Sequence, residues 1–300
     1  FLTTKENASL LRGFREVNGV IAIDRNQLRG KNIFRSAGEL IRLLRELRRG
    51  KFTLATDLQG NGESAWLTRL TGARQRWGVV HKAGRRWAYT RSLDREKDVH
   101  AAEMHLKVLC SGGLRDDQVR NEFALPLDAL ASAKAFLATH HISPEKPLLF
   151  VQPLTSSPRK NWPLTNYLAL AKHYQARGWQ VIFGGGPGDA AVLATVAEAG
   201  FVSSVGVPLL VTGGLMQLSN LIVGGDTGML HLAVAQGKRV VMLMNHNHPG
   251  RPYPFRHPEW SLLPPVDRDI ATIPLEAVIA LCEAALQRGV PQRVSTRRFT

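Results

Sequence analysis

The chain has 300 residues, 44% of them hydrophobic and 7% aromatic, enough apolar material for two ordinary domains. Its net charge is +15, from 39 basic and 24 acidic side chains, and the excess is spread over both halves. That spread argues against a nucleic-acid-binding arm and suits a diffuse negative partner, such as anionic lipid headgroups or a phosphorylated glycolipid. Cys110 and Cys282 fit no metal or redox spacing, no apolar run approaches the roughly 20 residues of a membrane span, and no signal peptide is visible. A soluble, cytoplasmic chain with free thiols is expected.

Taken in order, residues 1–4 read as a strand, 7–12 as a short helix and 20–23 as a second strand. Ser36 is predicted to cap a helix running to about Arg49. Leu40, Ile41, Leu43, Leu44 and Leu47 form its apolar face, and Arg42, Arg45, Arg48 and Arg49 face outward. Those arginines suit a solvated face or contact with a membrane surface. Residues 52–55 form the next strand, which leads through Asp57-Leu-Gln-Gly-Asn-Gly-Glu-Ser64 into a helix ending near Leu70. Asp57 and Gln59 sit where a sheet's carboxyl edge meets ligand, although Asp and Gly are also ordinary turn residues.

Residues 76–97 are basic and irregular in pattern, with Arg85, Arg86, Arg91 and Arg95 among Trp77, Trp87 and Tyr89; a mobile acceptor loop is expected. His100 and Glu103 share a helix face without a third ligand, so no metal site is expected there. Residues 114–145 read as a linker carrying one helix through Phe136. The rhythm of strands and helices on either side predicts two doubly wound α/β domains: 1–145, 146–290 and a tail at 291–300.

The second domain opens with a strand at 148–151, followed by Gln152-Pro-Leu-Thr-Ser-Ser-Pro-Arg-Lys-Asn-Trp-Pro163 and an amphipathic helix over 165–177. A strand at 180–183 leads into Gly184-Gly-Gly-Pro-Gly-Asp189, whose spacing is not a dinucleotide fingerprint. Residues 215–222 leave room for one element and not comfortably two. The apolar run 221–223 then ends a buried strand, Gly224 and Gly225 turn the chain, and Asp226 and Thr227 supply cap-type side chains to a helix reaching Gly237. Strand, glycine turn and helix N-terminus together suit an anion, because first-turn N–H groups point outward; an ordinary capped turn has the same shape. After a strand at 239–243, His246 and His248 stand in a proline-rich loop expected to be rigid rather than metal-binding, and a last helix spans about 275–287.

Two of these stretches resemble the ADP-heptose:lipopolysaccharide heptosyltransferases of glycosyltransferase family nine. That family carries Pro-Gly-small-Ser-Ser/Thr-x-x-Lys-x-Trp-Pro and, later, Asp-Thr/Ser-Gly-x-x-His. Here the first pattern covers Pro153 to Pro163 and the second Asp226 to His231. The Asp57-Leu-Gln-Gly60 segment, with Ser64, Leu70, Gly72 and Ala73 after it, is also similar.

The resemblance implies two Rossmann-like domains facing a cleft (the GT-B type), with an ADP-sugar as donor substrate, no cofactor and no metal. The expected activity is inverting transfer of a heptose-like sugar to a lipopolysaccharide-core-like, anionic glycolipid acceptor. A peripheral contact with the cytoplasmic face of the inner membrane goes with that acceptor, and no nucleic acid is expected. Donor-binding candidates are Thr155, Ser156, Ser157, Lys160, Asp189, Asp226, Thr227, Gly228 and His231. Lys160 is the phosphate cation, Asp189 matches the family's ribose-binding acid with one methylene less, and His231 orients Asp226 or simply packs.

In the family the general base lies in a Gly-Asp turn after the first strand. This sequence has no such turn, and residue 1 stands at what matches the family's second strand, so the base is expected upstream of Phe1 and the first domain lacks a strand and helix. Asp57 and Asp24 are weak substitutes. Without a base, the same features would describe a nucleotide-sugar-binding protein with no turnover.

Overall fold

The computed structural model describes residues 1–28, 30, 32–115, 118–245, 253–265 and 269–287. His246, His248 and the expected tail at 291–300 lie outside these residues. The chain divides into two compact units, the first running from Phe1 to Arg120 and the second starting at Asn121. The division therefore falls before the expected 145, and the linker's helix belongs to the second unit.

In the first unit, strands β1 (Leu2–Thr4) and β2 (Ile21–Ile23) pair in parallel, followed by helices α1 (Arg25–Leu28) and α2 (Ile33–Arg49). Strand β3 (Leu54–Asp57), helix α3 (Gly62–Leu70), β4 (Gln75–Val80), β5 (Arg91–Asp94) and helix α4 (Ala101–Ser111) complete it. β3, β4 and β5 form a separate three-stranded parallel sheet. The first unit, expected to lack one strand and helix, thus carries two separate parallel sheets among the described residues. The irregular stretch expected at 76–97 is instead strand, 3-10 turn (Ala83–Ala88) and strand. Its pattern hides this because the turn and β5 are largely exposed, while Val79, Val80, Ala88 and Tyr89 are core.

Helix α2 departs from its predicted face. It starts at Ile33, where Asn32 accepts a hydrogen bond from the Arg35 N–H, and the Ser36 hydroxyl instead donates to the Gln27 carbonyl at 2.8 Å. Leu43 and Leu47 are core, but Leu40 and Ile41 are exposed. Glu39 takes an inward position: it accepts from the Asp24 N–H and from Arg42, whose guanidinium also donates to the Ala22 carbonyl and to Glu46. These carboxylates hold the Arg42 guanidinium above its ordinary range, against the opposing effect of burial. Arg42 therefore ties α2 to β2 rather than facing outward as expected.

The second unit is built on one parallel sheet. After α5 (Leu127–Thr139) come β6 (Leu148–Gln152), α6 (Leu164–Gln175), β7 (Gln180–Phe183), α7 (Ala190–Glu198) and β8 (Val202–Ser203). Then follow α8 (Leu209–Leu218), β9 (Leu221–Gly225), α9 (Gly228–Ala235), β10 (Val240–Leu243), β11 (Ser261–Leu262) and α10 (Leu275–Gln287). The strand order is β11-β10-β9-β6-β7-β8. Every residue of β6, β9 and β10 is buried, as in parallel sheets covered on both faces. Residues 215–222, expected to hold one element, end α8 and open β9, which both fit because α8 already begins at Leu209. β8 needs only two residues, and two more, Ser219 and Asn220, join α8 to β9. Gly214 lets α8 lie close against α5: a Cβ there would come within 2.6 Å of the Ala133 Cβ.

The inward and outward positions of α2 predict opposite responses to truncation. Leu43→Ala should cost about 2–5 kcal/mol in urea unfolding, as buried leucines do. Leu40→Ala should stay within about 0.5 kcal/mol of the wild type. Similar losses for both would contradict the observed face.

Candidate donor site

β6 and β9 are neighbours, yet the chain leaves β6 toward β7 on one side and returns to β9 on the other. Ligands of open α/β sheets bind outside the carboxyl ends at such a reversal. There Gln152, the last residue of β6, pairs with Gly224 of β9, and the two following loops meet. Glycine is required at both positions that follow Val223. A Cβ on Gly224 would overlap the Gln152 carbonyl, and one on Gly225 would lie 2.5 Å from the Thr155 methyl and 3.0 Å from the Lys160 carbonyl oxygen. The 153–163 loop therefore lies directly on the end of β9.

This close approach brings together the charged residues of the two sequence patterns. Lys160, ending a 3-10 turn (Pro158–Lys160), donates from Nζ to Asp226 Oδ2 at 2.7 Å. His231, one turn into α9, places Nε2 3.3 Å from Asp226 Oδ1 and donates when that nitrogen carries the proton. Burial by itself would raise the Asp226 carboxyl; the hydrogen bonds and charge of His231 and Lys160 outweigh it and bring the group down to about 2. Thr227 caps α9, its hydroxyl accepting from the Leu230 N–H at 3.4 Å. A Cβ on Gly228 would meet nothing within 4 Å, so the start of α9 is open on that side. An ammonium has three N–H bonds, and Asp226 occupies one of Lys160's.

The hydroxyl candidates divide. The Thr155 hydroxyl donates to the Ser157 carbonyl and accepts from the Ser157 N–H, and the Thr155 N–H donates to Asn161 Oδ1. Thr155 is thus occupied in closing the loop rather than free to donate to an anion, contrary to expectation. Ser157 carries the start of the 3-10 turn, while Ser156, just before it, is exposed. Asn161, unassigned from sequence, pins the loop; a short polar side chain inside a Lys-x-Trp run was its only signal. The Trp162 indole N–H donates to the Ile273 carbonyl at 2.9 Å and its ring meets Tyr167 edge-on, so the Trp-Pro of the pattern anchors the loop to the core. Asp189 Oδ2 accepts from the Gly186 N–H at 2.8 Å, closing its own turn at the carboxyl end of β7.

The two weak base candidates lie in the first unit and are both engaged. Asp57 is 4% exposed; Oδ1 accepts from the N–H groups of Gln59 and Gly60, and Oδ2 from the Tyr89 hydroxyl at 2.6 Å. Burial first, then this bond, raises the Tyr89 phenol. Asp24 accepts from the Gln27 N–H at the start of α1 and pairs with Lys5 at 2.9 Å; these contacts lower its carboxyl. Both serve as turn and cap groups in this structure. His100 caps α4, its Nδ1 accepting from the Ala102 N–H, which accounts for it without a metal. Among the described residues, no group of three His, Cys, Asp or Glu side chains converges on one point.

Because the folded Asp226 value lies below the ordinary 3.8, its pairing stabilises the fold above pH about 4 and is lost as pH falls toward about 2. Lys160→Ala should raise the Asp226 value measurably in a carboxyl carbon NMR titration. An unchanged titration would remove the ion pair from this account.

Residues 40–260 match the family model described as glycosyltransferase family 9 (heptosyltransferase). The chain is 26% identical over 230 residues to lipopolysaccharide heptosyltransferase 1 of Pseudomonas aeruginosa, covering 73% of this chain and 62% of that protein. It therefore spans less than two thirds of that curated relative. Its fold is similar to a family 9 glycosyltransferase from Veillonella parvula, with a TM-score of 0.79 at 20% identity over 95% of this chain and 87% of that one. It is also similar to the E. coli heptosyltransferase WaaC with ADP, with a TM-score of 0.71 at 18% identity over 95% of this chain and 89% of that one. The parallel α/β units are those of the GT-B glycosyltransferase fold. With the family model covering most of its length and its two patterns meeting at one sheet edge, this chain belongs to glycosyltransferase family 9, the heptosyltransferases.

Proposed function

We propose that the chain is a glycosyltransferase that moves a heptose-like sugar from an ADP-sugar to a lipopolysaccharide-core-like acceptor, with inversion and without a metal. The observation that carries this reading is Lys160, held at 2.7 Å by Asp226 beside the open N-terminus of α9. A diphosphate seated there meets an ammonium, oriented N–H groups and the exposed Ser156. These groups stabilise the negative charge that grows as the bond to the sugar breaks. The acceptor oxygen attacks the anomeric carbon from the face opposite the diphosphate as its proton passes to a general base that none of the residues assigned here supplies, and ADP leaves with the bonding electron pair. Lys160 takes the role a cation would otherwise fill, so no cofactor is invoked.

Asp226 is the anchor of that lysine, and His231 the anchor of Asp226. Asp189 offers its second carboxylate oxygen to the donor ribose. ADP as donor nucleotide is supported by similar E. coli heptosyltransferase structures, one with ADP and another with ADP-2-deoxy-2-fluoro heptose. The acceptor is an anionic glycolipid, which suits the net charge of +15 and a peripheral contact with the cytoplasmic face of the inner membrane. The second reading, nucleotide-sugar binding without turnover, draws on the engagement of Asp24 and Asp57.

Calorimetric titration with ADP, UDP and GDP tests the donor half. ADP should bind in preference, and Lys160→Ala should weaken it at least about tenfold. A folded wild-type protein that binds none of the three would defeat the assignment. ADP binding without release of ADP from ADP-heptose in the presence of acceptor would select the second reading.

A further inference from the structure

Helix α2 leaves an apolar, arginine-rich face uncovered. Positions seven apart on a helix fall nearly in line. Ile33 and Leu40 make one line, Phe34, Ile41 and Arg48 the next, and Arg35, Arg42 and Arg49 a third, with Gly38 and Arg45 lying between the last two. The core side is the opposite one, where Leu43 and Leu47 are buried. On the outward side Phe34 is 90% exposed and Ile41 48%, while Ile33 (79%) and Leu40 (44%) stand exposed at the margin next to Leu47. A shallow hollow lined by Gly38, Ile41, Arg45 and Arg49, with the Arg42–Glu46 pair at its edge, joins the apolar and cationic parts. Five arginines face two glutamates in this helix, and both glutamates are engaged by Arg42.

We propose that this face seats on an anionic lipid bilayer. The helix lies in the plane of the surface, Phe34, Ile33 and Ile41 enter the boundary between headgroups and acyl chains, and Arg35, Arg45, Arg48 and Arg49 meet lipid phosphates. Charge complementarity selects this occupant. A second copy of the chain would cover the apolar line but oppose the same arginines to one another, and a nucleic acid would use the arginines and leave four large apolar side chains in water. The inference rests on the reading of the acceptor as a membrane-borne glycolipid, whose sugar the first unit would then meet at the bilayer surface.

The test is co-sedimentation of the full chain with vesicles of phosphatidylcholine containing phosphatidylglycerol, against phosphatidylcholine alone. Binding should require the anionic lipid and weaken with salt. It should fall about tenfold or more in both Phe34→Ser/Ile41→Ser and Arg45→Glu/Arg49→Glu. All four side chains lie outside the core, so circular dichroism and ADP affinity should match the wild type. The proposal is overturned if wild type ignores the vesicles, binds both compositions equally, or is matched by the variants. It is equally overturned if Phe34→Ser/Ile41→Ser only converts a dimer to a monomer in sedimentation velocity. Since the readout is lipid binding with ADP affinity as control, its failure leaves the donor-site reading standing, and failure of the donor site leaves this result legible.

Discussion

The ion pair between Lys160 and Asp226 joins segments sixty-six residues apart in sequence, and the donor site depends on it. Its geometry is prepared by the backbone before any charge is considered. Gly224 and Gly225 admit the loop after β6 onto the end of β9, and Asn161 and Trp162 then fix where that loop can lie. The ammonium at its end therefore has few places to go other than the carboxylate at the head of α9. A lysine held in this way has already lost much of its rotamer freedom, so an arriving diphosphate meets a preorganised cation.

The first unit uses its polar residues differently. Asp57, Tyr89, Asp24, Glu39 and Arg42 spend their hydrogen bonds on turns, caps and the tie between α2 and β2. Carboxylates buried in such networks are poor general bases, because proton transfer would break the contacts that hold them. What this unit leaves available is surface: the rim around Gln59 and His81, the edge-on pair of Trp66 and Trp87 at 4.5 Å, and the outward face of α2.

Much of the second unit was legible in the sequence because its signals are local. The apolar run into Gly224-Gly225 and the Thr227 cap specify strand, turn and helix within a dozen residues, and both family patterns fall on the loops that meet. What escaped was non-local. The pairing of Thr155 with Ser157 and Asn161 looks, in sequence, like a row of free hydroxyls. Leu40 and Leu43 carry the same hydrophobicity, and only the placement of β2 and α3 decides which is core. Glu39 reads as a surface acid until the Asp24 N–H and Arg42 are found around it. Residues 215–222 looked too short because the start of α8 at Leu209, ahead of that stretch, was not anticipated.

The most direct test of this account is a double-mutant cycle on ADP affinity with Lys160→Ala, Asp226→Asn and the pair together. If Asp226 acts by holding Lys160, Asp226→Asn weakens ADP binding when the lysine is present and does not weaken it further once the lysine is gone. Independent, additive losses would show that the two residues meet in the fold without acting together on the donor.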